Sequence, residues 1–146
     1  MEHTSELKLE WAKREGGFAQ SRRDFLDFAI DGQSLSTMLN VEESDLISCL
    51  GWFVADENTK AVRQLLLQEP ADLPNNRRTL YVCPEGGDIG CGAVSLIIEQ
   101  VGDKIIWRDF GYENNYEDVV HTESYEDVGP FIFDRAEYEV AIAKAL

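Results

Sequence analysis

The chain is poor in the residues that usually declare chemistry. It has three cysteines and two histidines in 146 residues. An odd number of cysteines argues against a disulfide framework and for reduced thiols in a cytoplasmic setting. No Cys-x-x-Cys pair exists, because the position that would close one after Cys83 is Gly86. A dithiol oxidoreductase generally uses that pair, and a structural zinc site needs four Cys or His ligands. Cys49, His3 and His121 would have to converge on Cys83 and Cys91 to supply them, so neither metal nor cofactor is expected. Neither histidine stands in a Ser/His/Asp or Cys/His pattern, which leaves catalysis without positive support. No apolar run approaches the roughly 18 residues of a membrane span. The polar opening Met1-Glu-His-Thr-Ser-Glu6 does not read as a signal peptide.

Positive charge is scarce too. Thirteen Lys and Arg face 28 Asp and Glu, a net charge of −15. Such a field repels nucleic acid and anionic membranes and attracts cationic partners. The plainer reading is acidity for solubility. The distribution favours the first. Residues 109–127 hold Asp109, Glu113, Glu117, Asp118, Glu123, Glu126 and Asp127 without one Lys or Arg, and they also carry Tyr112, Tyr116 and Tyr125. The bases gather elsewhere, at Lys8, Lys13, Arg14, Arg22 and Arg23, and at Arg77 and Arg78.

A hydrophobic content of 44% with 10% aromatics is that of a globular chain. At this length residues 1–146 read as one domain able to bury roughly 68–70% of its unfolded surface. Leu7, Leu9 and Trp11 alternate with polar neighbours as a strand does, and after Gly16-Gly17 a second strand runs from Asp24 to Ile30, ended by Asp31-Gly32. Together they predict an N-terminal antiparallel hairpin. Short helices are expected over Ser34–Leu39 and Ser44–Leu50, and a longer one from Asp56 to about Gln68 with Val62, Leu65 and Leu66 inward. Pro70 to Arg78 reads as a polar connector. Strands follow at Leu80–Cys83, Ala93–Glu99 and Lys104–Phe110, the last two joined by Gly102-Asp103. Residues 111–129 form an acidic connection, Phe131–Phe133 a short strand, and Asp134 with Glu137 caps a final helix bearing Tyr138, Ala141, Ile142 and Ala145 on one side. The sum is α+β: an antiparallel sheet with helices packed on one side and a C-terminal helix.

Two blocks stand out. Tyr81-Val-Cys-Pro-Glu-Gly-Gly-Asp-Ile-Gly-Cys-Gly-Ala93 sets a glycine-rich loop between two strands. It lacks the Gly-Lys-Ser/Thr ending of a phosphate loop and runs into a strand rather than a helix, so its glycines read as turn formers. Trp107-Arg-Asp-Phe-Gly-Tyr-Glu-Asn114 contains the Asp-Phe-Gly triplet of kinases, but none of the other kinase motifs is present.

On those blocks the chain resembles a group of small, mostly uncharacterised bacterial proteins. They carry Tyr-Val-Cys-Pro-Glu-Cys-Gly-Asp-x-Gly-Cys-Gly-Ala, then a hairpin, then Trp-x-Asp-Phe-Gly-Tyr-Glu, and some bear an oxidoreductase label. The match spans Tyr81–Ala93 and Trp107–Glu113, with Gly86 replacing the middle cysteine. If the group's cysteines bind metal or do redox work, this chain lacks one of three.

Three functions are therefore expected in order. The first is a non-enzymatic binding protein of the immunity or inhibitor type, meeting a basic toxin domain such as a nuclease. Its contacts would be Asp109, Tyr112, Glu113, Tyr116, Glu117 and Asp118, with the tyrosines as anchors. The second is a thiol- or metal-dependent enzyme using Cys83 and Cys91. The third is a structural or regulatory domain with a solvated acidic face.

Overall fold

A computed structural model describes residues 4–14, 23–41, 46–52, 55–83, 92–114 and 116–146. The N-terminal hairpin forms as its alternation requires. Strand β1 (Leu7–Arg14) pairs antiparallel with β2 (Arg23–Ile30), with Leu7 opposite Ile30 and Leu9 opposite Phe28. The Gly16-Gly17 turn lies outside the described residues. β3 (Gln33–Ser34) completes a three-stranded sheet, and Ser34 then caps α1 (Leu35–Leu39) by accepting from Thr37 N–H at 3.3 Å.

The helix expected over Ser44–Leu50 is absent from its described residues, 46–50. Ile47-Ser48 is instead a strand, β4, paired with Val82 and Tyr81. Leu46 through Leu50 are all buried, so this stretch is covered on both faces and shows no period that separates strand from helix. It also joins the sheets: Leu26 N–H donates to Leu50 O at 3.0 Å, and Cys49 N–H to Leu80 O at 3.0 Å.

Helix α2 (Ala55–Leu65) is shorter than expected. It begins one residue before Asp56, which sits with Glu57 in the first turn, where the helix dipole favours acids. Leu67 takes a left-handed φ of 60° and ends the helical path ahead of Pro70. After β5 (Arg78–Val82) come β6 (Ala93–Val101), β7 (Lys104–Glu113) and β8 (Phe131–Asp134), giving a five-stranded antiparallel sheet in the order β4-β5-β6-β7-β8. The 70–78 segment is not merely polar connector, since Arg77 and Arg78 are both buried.

The last helix, α3 (Arg135–Ala143), follows the expected cap: Asp134 accepts from Glu137 N–H at 3.1 Å. Tyr138, Ala141, Ile142 and Ala145 are all buried. Tyr138 fastens three elements, donating to Leu65 O at 2.6 Å and accepting from Trp107 Nε1–H at 3.1 Å. Trp107 sits at the centre of the core, edge-on to Phe28 and Phe133 at 5.3 and 5.4 Å between ring centres. Among the described residues the chain is α+β: two antiparallel sheets, rather than the one expected, share this core with three α-helices. No described helix is long and apolar enough to cross a membrane.

Candidate partner-binding surface

The site begins with an irregularity in β7. Ile97 lies opposite Arg108 and Ser95 opposite Gly111, so Asp109 and Phe110 together face Leu96. This is a β-bulge, and Asp109 takes its left-handed position at φ 55°. Glycine usually fills that position, and Asp is among the few side chains that tolerate it. One extra residue reverses the alternation beyond it. Opposed residues share a face of the sheet, so Gly111 and Glu113 join Ser95 on the outer face, whereas Tyr112 turns to the Val94 side.

Residues 116–130 fold back across that outer face. Tyr112 and His121 exchange backbone hydrogen bonds, each at 2.8 Å, which closes the loop at its base. The chain can lie this close because Gly111 has no side chain: a Cβ there would stand 2.4 Å from Val120 Cγ1 and 3.0 Å from Arg77 Nη2. Further along, Val128 N–H donates to Tyr125 O at 3.0 Å, and both side chains pack on the core ahead of the cis Gly129-Pro130 bond.

Beneath the loop lies a buried ion pair. Arg77 donates from Nε to Ser95 Oγ at 2.8 Å and from Nη2 to Ser95 O at 3.0 Å and to Asp109 O. Its Nε is 3.4 Å from Glu113 Oε2, which also accepts from Ser95 Oγ. Burial pushes the Arg77 pKa down, and the Glu113 charge opposes that shift. The pair is thus anchored to the bulge and to β6 by hydrogen bonds that orient both charges.

The six expected contact residues divide accordingly. Asp109, Tyr116, Glu117 and Asp118 are exposed, Tyr116 at 85%. Glu113 is 7% exposed and held by Arg77 and Ser95, so it supports the surface from below instead of facing outward. Tyr112 is half-buried against the core and over Gly92, where a Cβ would meet its hydroxyl oxygen at 2.2 Å. Glu123, Glu126 and Asp127 join the exposed group. The loop therefore presents five carboxylates, Glu117, Asp118, Glu123, Glu126 and Asp127, with no Lys or Arg.

Comparison with known proteins finds no matching family model, curated protein or solved structure.

His121 is the loop's one ionisable base. Its Nε2 lies 2.6 Å from Glu117 Oε2, and that hydrogen bond raises the imidazole pKa, helped by the charges of Glu117 and Glu123. The thiols offer little to compare with this. Cys49 is buried, which pushes its pKa up to about 12, far from the lowered values of reactive thiols. Cys83 is half-buried and free, while Cys91 and Gly86 lie outside the described residues. Among the described residues no group of three His, Cys, Asp or Glu is placed to hold a metal ion.

A second polar cluster sits in the core. Asp27 accepts from Tyr81 OH at 2.6 Å and from Ser34 Oγ at 2.7 Å, and Ser36 Oγ donates to it as well. These hydroxyls orient around a buried carboxylate, and the cluster joins β2, α1 and β5. Its arrangement is that of a satisfied structural network.

Sequence reasoning missed Arg77 and Ser95, which hold the surface up. A signal was present: two adjacent arginines abut an apolar strand in a strongly acidic chain. Adjacent strand residues face opposite ways. Arg77 goes to Ser95 and Glu113, and Arg78 goes to Gln64 O and Glu69 O, both at 2.9 Å.

Proposed function

We propose that the chain is a non-enzymatic binding protein of the immunity or inhibitor type, which occupies a basic surface of a toxin domain such as a nuclease. The observation that carries the reading is the loop of residues 116–127. It is fixed to the sheet at Gly111, His121 and Tyr125, and it shows five carboxylates and Tyr116 to solvent. A pre-organised single-sign surface raises encounter rates with an oppositely charged partner and loses less entropy on binding than a mobile one. Tyr116 is the anchor, since interface energy concentrates in aromatic residues and arginine. Asp109, Glu117 and Asp118 pair with partner Lys or Arg. Neither nucleic acid nor an anionic membrane suits this charge.

The test is to co-express the chain with any basic toxin domain that its gene neighbourhood encodes. The expected result is a stoichiometric complex that survives gel filtration and suppresses the domain's activity. A domain that stays active and elutes separately counts against the reading.

A further inference from the structure

The acidic loop does not lie flat on the sheet. Between the two is a cavity of about 460 Å³, with Phe110, Tyr125, Val128 and Pro130 among its walls. That volume lies in the lower part of the range of small-ligand sites, and the walls suit the methylene stem of a long side chain. The exposed Asp109 and Glu126 line it as well, together with Arg77 and Arg108.

Its charge is decided by what the two arginines already hold. Arg77 faces Glu113, and Arg108 is paired with Glu99 and Asp109. Two guanidiniums therefore stand against four carboxylates (Glu99, Asp109, Glu113 and Glu126), leaving two negative charges in excess. The Glu126 carboxylate has no partner among the described residues. A slot with apolar walls, an aromatic residue and surplus negative charge is built for a cation on an aliphatic stem.

We infer that this slot receives an arginine side chain of the basic protein partner, an inference that rests on the binding reading above. Arginine fits better than lysine, because its planar guanidinium can stack on Tyr125 while donating in parallel to Glu126. The occupant then sits between the sheet and the loop's exposed acids, where water is partly excluded and a charge pair gains over an open rim.

The test uses the whole chain and two small probes, followed by NMR. Nα-acetyl-arginine methylamide is expected to give saturable shifts at Phe110, Tyr125 and Val128 that weaken with added salt. The citrulline analogue, equal in shape but uncharged, is expected to give none. Glu126→Gln, an exposed change, is expected to weaken arginine binding about tenfold, the value of one charge-assisted hydrogen bond. Equal shifts with citrulline, saturation by acetate instead, or no saturation with arginine would overturn the inference. A basic partner that binds the chain undisturbed by Glu126→Gln also overturns it, while the binding reading stands. Arginine that saturates the slot of a chain with no basic protein partner supports the cation site and overturns the partner reading.

Discussion

Gly111 lies directly beneath Val120, so close that a Cβ on the glycine would stand 2.4 Å from Val120 Cγ1. This contact is where the acidic loop meets the sheet, and it makes the loop's order depend on one missing methyl group. Gly111→Ala forces Val120 or the Arg77 guanidinium to move. The expected cost is about 1–3 kcal/mol, the usual range for overpacking, with faster amide exchange over residues 116–127. Adding Val120→Ala removes the clashing Cγ1 and should restore most of the loss. Chemical denaturation of the three variants checks this, and a full-cost double variant contradicts it.

Glu113 and Arg77 should behave as a buried pair. Glu113→Ala leaves the guanidinium uncompensated beneath the loop and is expected to destabilise by about 3–5 kcal/mol. Replacing both, as Arg77→Met with Glu113→Leu, should cost much less than either single change, because buried pairs often exchange for apolar residues with little loss. The double-mutant cycle in urea reads the difference directly.

The His121–Glu117 pair predicts a direction with pH. Its folded pKa is raised from the ordinary 6.5. A raised folded pKa means that the pair's contribution is fully present below the unfolded value and is lost as pH rises through the folded one. Proton NMR of His121 should show a titration above 6.5 that moves back toward it in Glu117→Gln. An unchanged titration in that variant would show that Glu117 is not the cause. Protonation also places a positive charge within the acidic loop, so partner binding should weaken as pH falls through the same range.

Much of the architecture was legible because its signals are local. The β1–β2 alternation, the Gly102-Asp103 turn and the Asp134 cap each act within a few residues, and each formed where expected. β4 was not legible, since a stretch covered on both faces has no period to read. The acidic loop could be seen in composition, and its exposure at Tyr116, Glu117 and Asp118 followed. Glu113 was misplaced for one reason. The alternation of β7 gives no hint of an extra residue, and the bulge at Asp109 turned Glu113 under the loop and Tyr112 toward the core. The Asp109-Phe110-Gly111 triplet, which no other kinase motif accompanies, marks that bulge and the glycine the loop rests on.

The central claim is that the fixed acidic loop recruits a basic protein. The most direct measurement is the association rate with a basic protein domain captured as partner, across a salt series, for the wild type and for Glu117→Lys with Asp118→Lys. Steered association falls steeply with ionic strength, and neutral encounters run near ~10⁵–10⁶ M⁻¹s⁻¹. A wild-type rate well above that range is expected at low salt. The double reversal should lose about tenfold or more, and the two curves should converge at high salt. Equal rates for the two proteins at low salt, with no dependence on ionic strength, would contradict it.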